Sequence, residues 1–311
     1  MNTFRWKVAE DDEPVLFSID ELLTPQRGTG KLSGLEFLHV MAKRILNRVP
    51  SGSRMPFHWT INVYRGCSHA CSFCFARPTH DYLGLNIGED FDRKIVVKIN
   101  AVERLRAELA DPRWQGDAVA MGTNTDPYQR AEAKYRLTRG VLEALADHGN
   151  PFSILTKSPL VTRDLDVLQR AAAIAEVTVN FSIATLDERV WRASEPGTPN
   201  PRRRIDAMRT LQDAGISTGA LMAPVLPGLS DRPEQLREVV AAINGTGGRL
   251  LGIMPLHLRP GVREHFLAWL AEFDPALHGQ YLRRYETSDY APKRYVDELY
   301  ERAGLTRLAE R

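Results

Sequence analysis

The chain has 311 residues, 43% of them hydrophobic and 26% charged, with a formal net charge of +2. That composition suits a soluble globular protein of one large domain with extensions. No apolar run approaches the roughly 18–20 residues of a helical membrane span, and the near-neutral charge neither demands nor excludes nucleic acid.

The opening "MNTFRWKVAEDDEPVLF" places no apolar stretch behind a basic start, so no secretory signal is expected and cytoplasm is the expected compartment. Residues 24–34, "TPQRGTGKLSG", read as loop. In residues 35–49, Leu35, Leu38, Met41, Ile45 and Val49 recur at helical intervals, which predicts one helix in an N-terminal extension covering residues 1–55. "VPSGSRMP" then breaks the pattern.

From residue 56 the rhythm changes. Strands are predicted at 57–64, 94–99, 117–123, 151–158, 176–184, 216–225 and 248–258, separated by helical segments, with Asn100 expected to cap one of them. Such alternation builds βαβ units and a parallel sheet. Apolar runs such as "SILT" and "LLGIM" suit strands buried on both faces, and the G-x-G-x-x-G signature of a dinucleotide-binding sheet is absent. The expected fold is α/β, a partial (βα)6 barrel over residues 56–258, with a helical C-terminal extension over 259–311. Barrel chemistry collects where strands end. The polar clusters fall at such places: Cys67 after the first strand, "TNTDPY" after the third, "TKS" after the fourth.

All three cysteines, Cys67, Cys71 and Cys74, lie in "RGCSHACSFCFARPTH". An odd, tight cluster suits a reducing compartment better than a disulfide framework. C-x3-C-x2-C can wrap three thiolates around one corner of a [4Fe–4S] cluster, which ordinarily takes four cysteines, leaving one iron with an open position. An open coordination site is where a metal centre does chemistry. Two other readings stand beside this one. His80 follows Cys74 closely enough to complete a zinc site, and a cluster can serve electron transfer alone. His69 reads as a solvent-facing loop residue, a ligand only under the zinc reading.

C-x3-C-x-aromatic-C at the end of a barrel's first strand resembles the radical S-adenosylmethionine superfamily. "YRGCSHACSFCFARPTHDYLG", "GTNTDPYQRAE" and "SILTKS" resemble the branch of spore photoproduct lyase and its bacterial relatives, over about residues 35–300. The resemblance implies a [4Fe–4S] cluster on Cys67, Cys71 and Cys74 whose open iron chelates S-adenosylmethionine. It implies reductive cleavage of that molecule to a 5′-deoxyadenosyl radical, which takes a hydrogen atom from a substrate. It implies an electron donor such as a flavodoxin or ferredoxin.

The same resemblance directs attention to the other strand ends. Gly122, Thr123, Asn124, Thr125 and Asp126 stand where the superfamily receives the ammonium of S-adenosylmethionine, although the usual Gly-Gly-Glu-like turn is missing. Asp126 also reads as a turn and helix cap. Lys157 matches a lysine used toward the methionine carboxylate, against the plain reading of a solvated lysine. Asn180 and Ser182 share a strand face and fit the ribose, or an internal polar network. Val225 and Leu226, in "APVLPGLSD", flank the adenine, against the competing reading of Pro227 and Gly228 as a plain turn. Glu195, after a short helix and before a Gly/Pro loop, lies above the mouth, where loop residues contact substrate. Tyr64, Arg65, Tyr82 and Tyr128 are unassigned pocket residues.

A further cysteine that returns a hydrogen atom to the product radical is needed in spore photoproduct lyase, and this chain has none outside the loop. Its basic runs are short. Arg202, Arg203 and Arg204, then Arg283 and Arg284, then Lys293 and Arg294 read as solvated helix faces rather than a phosphate track, so a nucleic-acid substrate has weak support.

Overall fold

A computed structural model of the protein describes residues 25–306, apart from Ser51 and Arg54. Its strands, in chain order, are Gln26–Arg27 (β1), Glu36–Val40 (β2), Leu46–Arg48 (β3), Trp59–Ile61 (β4), Tyr64–Arg65 (β5), Lys94–Lys98 (β6), Val119–Met121 (β7), Phe152–Thr156 (β8), Val177–Ser182 (β9), Ser217–Val225 (β10) and Arg249–Pro255 (β11).

Seven of them form one sheet in the order β11-β10-β9-β8-β7-β4-β3. All neighbours run parallel except β3, which is antiparallel to β4. Among the described residues β11 and β3 do not pair, so the barrel is partial. Six parallel strands, β4 and β7 to β11, match the expected barrel.

Alternation explains the packing of its walls. In β8, Phe152, Ile154 and Thr156 are buried, while Ser153 and Leu155 are half-buried. In β9, Val177, Val179 and Phe181 are buried on the same side. These apolar faces share one core with Val141 and Leu145 of helix Leu137–Asp147, Leu168 of helix Leu165–Ala172 and Leu211 of helix Pro201–Asp213. Period-2 strands against period-3.6 helices yield this two-layer wall. The opposite strand face looks into the barrel. A Cβ built on Gly219 of β10 would lie 2.7 Å from Asn180 Oδ1 and 2.8 Å from Leu251 Cγ, which places β9, β10 and β11 residues together on that inner face.

The lead-in differs from expectation. Residues 35–49 form β2 and β3, with no helix between them. The segment predicted over 94–99 is a strand, β6, but it belongs to a second sheet of order β1-β2-β6-β5 and not to the barrel. This sheet is buried on both faces: Phe37, Ile95 and Val97 join the main core, whereas Leu38, Val40 and Val96 form a small core of their own. Asn100 stands at the start of helix Ala101–Leu109 but does not cap it. Its amide is paired instead with both main-chain groups of Ala42, receiving the N–H at 2.8 Å and donating to the carbonyl at 3.0 Å. Residues 1–24 of the N-terminal extension lie outside the described residues.

The C-terminal extension is helical, over Val262–Phe273, Pro275–Arg284 and Lys293–Arg302. Tyrosines attach it to the barrel. Tyr281 and Tyr285 donate to the carbonyls of Pro227 and Leu256, Tyr295 donates to Asp231, and the Tyr300 hydroxyl accepts the N–H of Ile253 in edge strand β11. An unpaired edge is a liability for a sheet, and here the last helix covers it.

Candidate active site

The cysteine loop leaves β5 through Gly66, whose φ of +78° falls in the left-handed region. A Cβ there would also approach His80 Cε1 to 2.8 Å, so glycine is required on both counts. Cys67 and Cys71 are buried and Cys74 is nearly so; none is in a disulfide.

Side chains from distant segments pin the loop's main chain. Gln129 accepts the Ser68 N–H at 3.0 Å and donates to the Gly66 carbonyl at 2.9 Å. Thr125 Oγ1 donates to that same carbonyl at 2.6 Å. Arg77, fully buried, holds the Cys71 carbonyl with Nε and Nη2 at 3.1 and 2.9 Å, and pairs with Asp92. The segment after helix Glu188–Ser194 runs alongside, with Ser72 N donating to Ser194 O and Gly197 N donating to His69 O.

His69 departs from expectation. It is buried rather than solvent-facing, and its Nδ1 lies 3.3 Å from Asp126 Oδ2. Burial alone would lower the His69 pKa; Asp126 and Cys67 outweigh burial and raise it to about 10. Burial would likewise raise the Asp126 carboxyl, yet His69 and hydrogen bonds from the Lys157 main chain and Thr156 hold it below its ordinary value. His80 is equally buried, with Nε2 3.0 Å from the Lys94 carbonyl and its ring edge-on to Phe91. That placement makes it a packing residue beneath Gly66 and removes the ligand on which the zinc reading relied.

The remaining strand-end residues divide into two groups. Asp126 accepts from Thr156 Oγ1 at 2.7 Å, Lys157 N at 2.7 Å and Tyr128 N at 2.9 Å, so its oxygens are committed within the protein. Thr125 is committed to Gly66 and Gln129. Gly122, with φ +91°, is packed so closely on β8 that a Cβ would lie 1.9 Å from Leu155 O. Thr123 Oγ1 and Asn124 N are joined to Asn62, and the Asn124 side chain is exposed. Val225 is fully buried in the core, with its carbonyl taken by Leu256 N. Lys157, Asn180 and Ser182 by contrast occupy neighbouring strands at the mouth. Lys157 Nζ lies 2.5 Å from Glu195 and sits over the Phe73 ring of the cysteine loop, 5.1 Å from its centroid. Ser182 Oγ donates to Ala223 O at 3.3 Å.

Arg204 corrects the reading of the basic runs. It is wholly buried, not solvated, and binds Glu195, Thr198 and the carbonyls of Ser182 and Pro199. Gln129, Arg77 and Arg204 support this site without a role in the sequence reading, and Glu195, expected as a loop residue open to substrate, is instead buried between Lys157 and Arg204. The links from Gln129 to Gly66 and Ser68 and from Glu195 to Lys157 span too much sequence for spacing to reveal them, and those from Arg77 to Cys71 and from Arg204 to Glu195, though close in sequence, follow no recognisable motif.

Three free thiols on one pinned loop are the donors a three-cysteine [4Fe–4S] cluster would use, while among the described residues no three metal-ligating side chains already converge on one point. Burial pushes the Cys71 thiol well above its ordinary value, opposed by Lys157, and burial and neighbouring Cys67 push Cys74 up to about 11.

Residues 61–240 match the family model for the Radical SAM superfamily, and the chain belongs to that superfamily. It is a radical S-adenosylmethionine enzyme, and the cofactors of the family are a [4Fe–4S] cluster and S-adenosylmethionine. Over 88% of its length the chain is 44% identical to the uncharacterized protein Rv2578c of Mycobacterium tuberculosis, covering 81% of that protein. It is 28% identical to the uncharacterized protein MJ0683 of Methanocaldococcus jannaschii, over 86% of this chain and 93% of the other. Among solved structures, spore photoproduct lyase complexed with dinucleoside spore photoproduct superposes with a TM-score of 0.59, covering 86% of this chain and 77% of the other. At 14% identity that likeness is one of fold.

Proposed function

We propose that the protein uses Cys67, Cys71 and Cys74 to hold a [4Fe–4S] cluster at the mouth of the partial barrel and binds S-adenosylmethionine beside it. The observation that carries this is the loop itself. Three free cysteines, the chain's whole supply, are pinned at the strand ends by Gln129, Thr125, Arg77 and Gly197. When bound, the cluster and S-adenosylmethionine together supply a 5′-deoxyadenosyl radical able to take a hydrogen atom from a substrate.

The chain's own residues position and shield. Lys157 offers an ammonium to the carboxylate of the bound sulfonium, and Ser182 and Asn180 face the ribose from β9. Gly122, Thr123 and Asn124 offer main-chain carbonyls and one amide to the ammonium. Asp126 contributes indirectly, by fixing the Lys157 main chain and His69. Val225 shapes the wall from behind.

A cleft of about 410 Å³ beside the loop is lined by residues that include His69, Arg130, Leu160 and Gly197. An electron donor such as a flavodoxin or ferredoxin would supply the reducing electron.

The test is anaerobic reconstitution with iron and sulfide, followed by dithionite and S-adenosylmethionine. The holoprotein is expected to be brown, to bind about four irons per chain and to form 5′-deoxyadenosine. Cys71→Ala should abolish both iron retention and product. Zinc in a colourless protein, or no 5′-deoxyadenosine from a fully loaded one, overturns the reading.

A further inference from the structure

Three charged side chains form a row at the mouth, with Glu195 and Arg204 buried and Lys157 half-buried. Lys157 Nζ lies 2.5 Å from Glu195 Oε1, and Glu195 Oε2 lies 2.6 Å from Arg204 Nη2. Glu195 is 4% exposed and Arg204 is fully buried. Arg204 is itself immobilised. Its Nη1 donates to Ser182 O at 2.8 Å, and its Nη2 donates to Thr198 Oγ1 and Pro199 O at 2.8 and 3.1 Å. Thr198 is held in turn by Trp191 Nε1 and by the Glu195 carbonyl.

Charge counting makes the row incomplete. Two cations flank one anion, so the row carries a net positive charge beside the cysteine loop, and its half-buried lysine end is the part open to a further anion. The Lys157 ammonium has three donors, of which Glu195 uses one. Its neighbour on the other side is the face of Phe73, inside the cysteine loop, 5.1 Å away. The row therefore presents an oriented, partly unsatisfied ammonium next to the cluster ligands.

Glu195 also separates Lys157 from Arg204. Without that carboxylate the two cations would face each other across a dry gap, and the more flexible lysine would swing away. Because Arg204 and Thr198 lock Glu195, the carboxylate acts as a fixed post rather than a mobile counter-ion.

We propose that Glu195, fixed by Arg204, is a positioning residue that holds Lys157 in the orientation in which it receives the α-carboxylate of S-adenosylmethionine. The inference rests on the S-adenosylmethionine site proposed above. It assigns Glu195 no contact with the reacting atoms. Its effect is confined to the amino-acid end of the ligand.

The experiment is equilibrium binding to anaerobically reconstituted holoprotein, with two nucleosides compared. S-adenosylhomocysteine carries the amino-acid end; 5′-methylthioadenosine lacks it. Glu195→Gln and Lys157→Met should each weaken S-adenosylhomocysteine about tenfold or more, the scale of one charge-assisted hydrogen bond, and leave methylthioadenosine within about twofold. In the Lys157→Met background, Glu195→Gln should add nothing, because its effect passes through the missing ammonium. Glu195→Asp keeps the charge and shortens the reach; it should fall between wild type and Glu195→Gln, and serves if the latter folds poorly. Iron content per chain reports integrity.

Equal weakening of both nucleosides, an unchanged penalty in the Lys157→Met background, or S-adenosylhomocysteine affinity indifferent to Glu195 overturns the role of Glu195 alone. Failure of the wild-type holoprotein to bind either nucleoside overturns the S-adenosylmethionine site, and this inference with it.

Discussion

Gly197 donates its N–H to the carbonyl of His69 at 3.0 Å, and a Cβ on Gly197 would lie 2.1 Å from the Ser68 carbonyl oxygen. The two segments are thus in direct main-chain contact, with no space for a methyl group. Gly197→Ala must push the cysteine loop outward. Overpacking of this kind costs about 1–3 kcal/mol, enough to leave roughly half or less of the wild-type iron after reconstitution. Iron and sulfide analysis checks it. Full cluster content in a stable Gly197→Ala protein would show that the loop yields without consequence.

Arg77 anchors the same loop from the other end. Its guanidinium reaches the Cys71 carbonyl and the carbonyls of Ile87 and Gly88, and pairs with Asp92. Lysine would keep the charge but cannot reproduce the planar fork. Arg77→Lys is expected to assemble the cluster and lose it several-fold faster in air, followed as decay of absorbance near 400 nm. Decay at the wild-type rate would show that charge alone suffices.

Asp126 separates two readings of the "TNTDPY" turn. As a buried hub, it accepts from Thr156, Lys157 N and Tyr128 N and faces His69. Asp126→Asn leaves His69 without its counter-charge and turns one acceptor into a donor aimed at donors. Breaking a buried pair this way costs about 3 kcal/mol, read as a lower urea midpoint with unchanged slope. An Asp126 that bound the ligand ammonium directly would instead lose S-adenosylhomocysteine affinity with little change in stability.

The cysteine loop and the barrel strands were legible because each is a local signal. C-x3-C-x2-C is complete within eight residues, and "SILT" and "VTVNFS" alternate clearly enough to mark β8 and β9. The lead-in misled for a physical reason. In β2 both faces are buried, Phe37 toward the main core and Leu38 and Val40 toward the small one, so the period of two disappears. Leu35, Leu38, Met41 and Ile45 then fall by coincidence at helical spacing, and Met41 is exposed. The strand at 94–99 was recognisable, but its partners β2 and β5 were not, since pairing is a tertiary choice. The same limit hid the supports of the site. Gln129 reaches back to Gly66 and Ser68, and Lys157 reaches forward to Glu195. Arg204 looked like one member of an exposed basic run because composition does not reveal which arginine turns inward.

Lys98, at the end of β6, provides a test through pH. Burial, and then the nearby Arg65 charge, lower its pKa to about 7, against a smaller opposing pull from Glu108. The sign follows from linkage. A lysine whose folded pKa lies below its unfolded value must be charged against the fold at acid pH, so it destabilises fully below about 7. That penalty fades as pH rises from about 7 toward the ordinary lysine value of 10.5. Lys98→Met, similar in length and uncharged, should therefore stabilise the protein at pH 6 by up to about 5 kcal/mol. The gain should shrink steadily as pH rises, to roughly 1 kcal/mol near pH 10, and vanish only above about pH 11, where the wild-type side chain is neutral in both states. Urea unfolding across that range measures it. A gain of equal size at both ends would mean that better packing, and not the buried charge, separates the two proteins.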